Sequence, residues 1–191
     1  MTHNGSYWFD SLEAPYAQAA SMPLPAAVDV AIIGGGYTGL WTAHYLNELN
    51  PSLKIAVLEA ETFGFGASGR NGGWCMGTAH GVDALLAQPE SRGAGLTLAR
   101  AMQATVDEIG QVAKSLGIDC HFKKGGNLTV ATQAFQVPQL QAELEHLREL
   151  GFSEDDYVWL PAGEAQQRVQ MQHNYGALFT PHCAAIHPAR L

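Results

Sequence analysis

Gly34, Gly36 and Gly39 stand in a G-x-G-x-x-G spacing directly after the apolar run Val28-Asp29-Val30-Ala31-Ile32-Ile33. The chemistry open to this pattern is anion binding by backbone alone. Gly34 makes a tight turn, Gly36 lets N–H groups approach phosphate oxygens, and Gly39 lets the following helix pack closely on the strand. That helix opens with Tyr37 and Thr38 and runs through Leu40, Trp41, Ala43, His44 and Leu46. Its positive N-terminal end and unbonded N–H groups face the same place, so a pyrophosphate can be held without a basic side chain.

A second residue type completes the pattern. Lys54-Ile55-Ala56-Val57-Leu58-Glu59 predicts a second buried strand, and Glu59, followed by Ala60, lies 20 residues past Gly39. An acid at that distance accepts hydrogen bonds from the ribose 2′-OH of a dinucleotide and repels a 2′-phosphate. The site is therefore of the FAD or NAD type, with NADP the poorest fit and an ordinary β-α-β unit with a glycine-rich turn as the competing reading. Beyond it, Phe63-Gly64-Phe65-Gly66-Ala67-Ser68-Gly69-Arg70-Asn71-Gly72-Gly73-Trp74 places five glycines between positions 64 and 74. That density implies backbone closely approached by something.

Other reactive residues form weaker patterns. His182, Cys183 and His187 match neither H-x-x-x-H nor C-x-x-C spacing, so no metal site is assigned. Asp155-Asp156 and Glu143 with Glu145 read as solvated charge. No Ser-His-Asp or Cys-His motif is present, and the catalytic residues are left open. Cys75, Cys120 and Cys183 are an odd, widely spaced set, which argues against a disulfide framework. The chain carries 10 Lys and Arg against 18 Asp and Glu, a net charge of −8, which argues against a nucleic-acid or anionic-membrane surface. No basic and apolar leader opens the first 27 residues, and no run approaches the roughly 18 apolar residues of a membrane span, so the expectation is a cytoplasmic protein.

The elements that must position these residues follow from periodicity. Ser6-Tyr7-Trp8-Phe9 and the pair Pro23 and Pro25 suggest an arm that packs through its aromatics, with no regular structure before Val28. Leu96, Ala99, Met102, Val106, Ile109, Ala113 and Leu116 step by three and four, predicting an amphipathic helix from Arg92 that Gly117 ends. Cys120 to Lys124 and Asn127 to Thr132, joined by Gly125-Gly126, read as a β-hairpin with a primed turn. Leu140, Leu144 and Leu147 mark a second helix ending near Gly151, followed by a strand at 157–160, a small helix from Pro161 and a strand at 175–180. The order predicts an α/β fold, with a nucleotide-binding unit followed by a mixed antiparallel region. The expected divisions are an arm at 1–27, the nucleotide-binding part at 28–90, the mixed part at 91–183 and a return at 184–191. No third parallel strand is recognisable after Glu59, and a helix opens at Pro188 three residues before Leu191, so an N-terminal fragment is expected.

The segments Asp29 to Leu40, Leu58-Glu59-Ala60, Gly64 to Gly73 and Ile186-His187-Pro188-Ala189-Arg190-Leu191 together resemble FAD-dependent oxidoreductases of the D-amino acid oxidase superfamily. The nearest likeness is to the gamma-glutamylputrescine oxidoreductase branch. The resemblance implies a two-domain flavoenzyme of about twice this length or more, with a discontinuous FAD domain, so that this chain is an incomplete Rossmann-type FAD-binding domain with part of a mixed antiparallel α+β substrate domain. It makes Gly34, Gly36, Tyr37, Thr38 and Gly39 the pyrophosphate cradle and Glu59 with Ala60 the ribose site. Ser68, Gly69, Arg70, Asn71 and Gly72 become the loop beside the pyrophosphate and ribityl chain. Residues 64–74 hold no histidine for covalent attachment, so dissociable FAD is expected, and His187 stands near the return, as a helix start or close to the flavin. The implied reaction is oxidation of a C–N bond in an amine or amino acid, with hydride transfer to the flavin and hydrolysis of the imine. Oxygen or another acceptor takes the electrons. A gamma-glutamylputrescine-like substrate fits the branch. Two other readings stand beside it: an NAD-dependent dehydrogenase, and a truncated, inactive fragment unable to retain flavin.

Overall fold

The computed structural model describes residues 5–12 and 25–191, and the prediction that included Pro23 lies outside them. The described residues fall into two compact units, one of residues up to Gly73 together with His187–Leu191, the other of Trp74–Ile186. A small parallel sheet in the first and antiparallel sheets in the second make the fold α/β.

In the first unit, β-branched and apolar residues place Val30–Ile33 (β1) and Ile55–Leu58 (β2) in parallel, Val30 opposite Ile55 and Ile33 opposite Leu58. The connection is the helix Tyr37–Leu49 (α2), which packs on both strands. The Gly34 N–H carries the ladder one step further by donating to the Leu58 carbonyl at 2.8 Å. The expectation of an arm without regular structure is corrected: Ser6 caps a single helical turn, Tyr7–Asp10 (α1), by accepting the Trp8 N–H.

In the second unit, the predicted long helix is Arg92–Ser115 (α4), ended by Gly117 at φ +66°. It packs against Val82–Ala87 (α3), where Gly95 admits the backbone and side chain of Leu86. Val82, Leu86, Ala99, Leu150 and Phe152 form one apolar cluster, each large member contributing about 2 kcal/mol by leaving water. The helix Gln136–Glu149 (α5), the strand Val158–Leu160 (β6), the helix Ala162–Arg168 (α6) and the strand Ala177–Thr180 (β7) all form where periodicity and turn residues place them.

The predicted hairpin does not form. Lys123–Lys124 (β4) pairs antiparallel with Cys183–Ala185 (β8), which also pairs with Trp74–Met76 (β3). Asn127–Val130 (β5) pairs instead with β7, in a sheet ordered β5-β7-β6. Gly125-Gly126 is thus a crossing between two sheets. The Gly126 N–H donates to the Cys183 carbonyl at 3.0 Å, and a Cβ there would press on the Phe179 ring. Its positive φ of +78° makes glycine the fitting residue for both reasons.

Candidate functional site

The glycine turn is as crowded as its spacing requires. Gly34 has φ +102°, and a Cβ at Gly39 would run into the Gly34 carbonyl oxygen and lie 3.2 Å from Ile32 Cγ2. The first turn of the helix therefore packs directly on the backbone of Gly34 and on the Ile32 side chain of β1. Gly36 is the extended residue before α2, and a Cβ on it would stand 3.0 Å from Ser68 Oγ. The Ser68 hydroxyl accepts the Tyr37 N–H at 2.9 Å, so the glycine-rich loop caps the helix. Thr38 and Gly39 keep N–H groups that have no acceptor within the helix, because the first intrahelical bond runs from Leu40 to the Gly36 carbonyl.

Glu59 arrives at the same turn from the end of β2. One carboxylate oxygen accepts the Gly35 N–H at 2.7 Å and the other the Glu61 N–H at 3.1 Å. The Gly35 bond first, and then those from Glu61 and Ala60, lower its pKa below the ordinary carboxylate value against the opposing effect of burial. A carboxylate offers about four acceptor positions, so the charged group keeps capacity for hydroxyls after these two bonds. Ala60 follows it at the exposed end of the strand.

The 64–73 loop holds itself with a single 3-10 turn over Ala67–Gly69 and a side-chain clasp. Asn71 donates from Nδ2 to the Ser68 carbonyl at 2.7 Å and accepts the Gly73 N–H at 2.8 Å. The exposed Arg70 guanidinium lies 4.4 Å from the centroid of the Phe65 ring. Positions 66 and 72 have open space where a Cβ would point, whereas Gly64 and Gly69 face the Phe9 ring. Some of the glycine density is thus answered from within the protein. The structure gathers Gly34, Gly36, Tyr37, Thr38, Gly39, Glu59 and Ser68 at one helix terminus. Open space at Gly66 and Gly72, the helix N–H groups of Thr38 and Gly39 without an intrahelical acceptor and a charged acceptor at Glu59 fit a dinucleotide cofactor such as FAD.

Two features were not legible in the motifs. Within the first unit, His187 is 6% exposed, and its Nε2 shares a 3.0 Å hydrogen bond with Ser11 Oγ. Within the second, Asp156 is not the solvated charge its neighbour Asp155 suggests. It is 2% exposed, ion-paired with Arg100, and accepts the Ser153 N–H at 2.6 Å and the Ser153 O–H at 2.9 Å. Burial pushes its pKa up, but the Arg100 guanidinium and Ser153 outweigh that and bring it down to about 2. An ionised Asp156 can only accept, so His182 Nε2, 3.2 Å away, carries the proton in that contact. His182 also lines a cleft of about 180 Å³ with Asn127, Thr129, Glu143, Tyr157 and Thr180. His182 and Cys183 belong to the second unit and His187 to the first, and no group of three or more metal-ligating side chains occurs among the described residues.

Residues 29–191 match the FAD dependent oxidoreductase family. The whole chain is 31% identical to gamma-glutamylputrescine oxidoreductase of Escherichia coli K12 and spans 44% of that relative's length. Over 80% of the chain it is 29% identical to an Escherichia coli L-2-hydroxyglutarate dehydrogenase, of which it covers 33%. Among solved structures, L-amino acid deaminase from Proteus myxofaciens shares the fold over 87% of this chain and 35% of its own, with a TM-score of 0.63 and 19% identity.

Proposed function

Because the chain belongs to the FAD dependent oxidoreductase family, we propose that its first unit is the adenosine and pyrophosphate side of a dissociable FAD site. The protein it serves oxidises a C–N bond in a small amine or amino acid. The branch of gamma-glutamylputrescine oxidoreductases is the one favoured, on the 31% identity to the Escherichia coli enzyme, and a gamma-glutamylputrescine-like amine is the substrate to test first. The observation that carries the reading is the meeting of Gly36, Ser68 and Glu59 at the N-terminus of α2.

Each residue has a part in that site. Gly34, Gly36 and Gly39 let the backbone close on the pyrophosphate, and the N–H groups of Thr38 and Gly39 meet its charge. Ser68 accepts from Tyr37 and keeps its own proton to donate to a phosphate oxygen. Glu59, ionised, takes the ribose hydroxyls, beside Ala60. The backbone of Gly69, Asn71 and Gly72 lies along the ribityl side, and Arg70 offsets phosphate charge. FAD, when bound, supplies the two-electron acceptor for conversion of an amine to an imine that water hydrolyses, and oxygen or another acceptor restores it. The second unit, with its antiparallel sheets, is the substrate-domain part.

Titration of the purified protein with FAD, followed by flavin fluorescence, tests the site. Binding that ADP competes and 2′-phospho-ADP does not is the expected result. Binding of NAD in place of FAD overturns it in favour of a nicotinamide-dependent dehydrogenase. Anaerobic bleaching of the flavin by gamma-glutamylputrescine or another amine supports the reaction class. Bleaching by 2-hydroxyglutarate alone transfers the chemistry to a C–O bond.

A further inference from the structure

We propose that the segment Ser6–Ser11 is a clamp that holds the 64–73 loop in its ligand-ready shape, with Ser6 and Trp8 as positioning residues for the cofactor. The inference rests on the FAD reading of that loop. Its basis is a set of contacts aimed at the loop's own backbone. Ser6, 5% exposed, donates its hydroxyl to the Gly69 carbonyl at 2.6 Å, and Trp8 Nε1–H donates to the Asn71 carbonyl at 2.6 Å. Phe9 covers the same stretch: a Cβ at Gly64 would lie 3.6 Å from its ring, and one at Gly69 would collide with it. The Gly64 carbonyl oxygen and the Phe9 ring together leave room only for glycine at position 69.

The other side of the segment is anchored on the return of the chain. The Ser11 hydroxyl donates to the Trp8 carbonyl at 3.0 Å, which leaves its lone pairs to accept from His187 Nε2–H. The Trp8 and His187 rings meet edge to face at 5.1 Å. Next to His187, the Pro188 carbonyl accepts the Tyr37 hydroxyl at 3.0 Å, from the first residue of α2. The glycine-rich loop and His187 are thus joined through Ser6, Trp8 and Ser11, and Tyr37 ties the helix start to Pro188 and to Ser68.

Such a clamp has a physical purpose. A loop with five glycines and one short turn loses much conformational freedom on ordering, and a site that must order its loop at binding loses affinity by that amount. Two hydrogen bonds to loop carbonyls and an aromatic ring on its glycines move this ordering ahead of binding. Ser68, in the middle of the loop, is then presented to Tyr37 before any ligand arrives.

The test uses Ser6→Ala and Trp8→Phe, the second of which keeps an aromatic side chain while removing the N–H to Asn71 together with part of the indole ring. Amide hydrogen exchange over residues 64–73 is compared without FAD, and FAD affinity and melting temperature are measured alongside. Each variant is expected to speed loop exchange and to weaken FAD binding by roughly three- to tenfold, the worth of one net hydrogen bond. The melting temperature should stay within a few degrees. Unchanged loop exchange in both variants overturns the clamp, and so does faster exchange with unaltered FAD affinity. Should the unsubstituted protein bind no FAD, the cofactor reading falls by itself, and the clamp is sustained or overturned on the exchange comparison alone.

Discussion

Ser68 Oγ accepts the Tyr37 backbone N–H at 2.9 Å, so a side chain from the glycine-rich loop supplies the cap that Gly36, having no side chain, leaves open at the start of α2. The cap and the glycine are complementary. A residue at position 36 able to cap its own helix would fill the space that Ser68 uses, and with it the approach to the helix N–H groups. The loop and the turn are parts of one site because each lacks what the other provides.

That relationship separates two glycines that look alike in the motif. Gly36→Ala brings a methyl to 3.0 Å from Ser68 Oγ, a hydroxyl that can rotate away, whereas Gly39→Ala drives a methyl into the Gly34 carbonyl, which cannot. The first is expected to lower FAD affinity by about tenfold while costing under roughly 1 kcal/mol of stability. The second is expected to cost about 1–3 kcal/mol or more, in step with other overpacked sites. Chemical denaturation and FAD titration of both variants check this, and equal losses of stability would contradict the assignment.

Glu59→Gln tests the ribose acceptor. Its bonds from Gly35 and Glu61 depress the carboxyl pKa, so the charge, and the stability these bonds confer, are fully present above the ordinary value of 4.5 and are lost only as pH falls through the lower folded value. FAD affinity is therefore expected to be flat in pH from about 5 upward as far as Glu59 is concerned. The glutamine variant should bind FAD about 10- to 100-fold more weakly, the range for hydrogen bonds to a charged acceptor. A variant that binds FAD as the unsubstituted protein does would remove Glu59 from the site.

The motif and its acid were legible in the sequence because their demands are local: φ at Gly34, the close approach at Gly39 and the end of an apolar strand at Glu59, though a partly rather than fully buried one, all follow from neighbours in the chain. The helices from Arg92 and from Gln136 were legible by period. What escaped depends on distant partners. Asp156 differs from the exposed Asp155 by meeting Arg100 and His182, 56 and 26 residues away, as well as Ser153, and Ser6 and Trp8 find their carbonyl acceptors 63 residues on. Gly125-Gly126 carries the local signature of a primed turn, but beside its positive φ the requirement for glycine at 126 comes from the Phe179 ring and the Thr180 carbonyl of β7.

The sheet crossing therefore gives an asymmetric prediction for adjacent residues. At Gly125 a Cβ points into open space and the backbone has no positive φ, so Gly125→Ala should be tolerated within about 0.5 kcal/mol. At Gly126 the same methyl meets Phe179 with φ at +78°, and Gly126→Ala should cost about 2–4 kcal/mol from overpacking and left-handed strain together. Urea denaturation of the pair decides it. A two-residue hairpin would instead make Gly125→Ala harmful, since a type I′ turn needs positive φ at both central residues and a type II′ turn needs it at the first.

Asp156 is expected to make the second unit's stability depend on pH on the acid side. Its pKa falls from 3.8 to about 2, so the unfolded chain takes up a proton at a higher pH than the folded one. The stability held in its bonds to Arg100 and Ser153 is complete above about pH 4 and disappears between about 4 and 2, amounting to on the order of 2 kcal/mol. Asp156→Asn should lose about 1–3 kcal/mol at pH 7, because Ser153 and His182 are left facing a weaker acceptor while the half-exposed Arg100 returns to water. The gap between variant and parent should close toward pH 2. The exposed pair of Lys124 and Asp107, at 2.5 Å, serves as the control: Asp107→Asn should cost no more than about 1 kcal/mol, an effect that added salt diminishes. Melting curves from pH 2 to 7 read both, and a parent protein whose acid-side slope is matched by Asp156→Asn would show that the buried carboxylate is not its source.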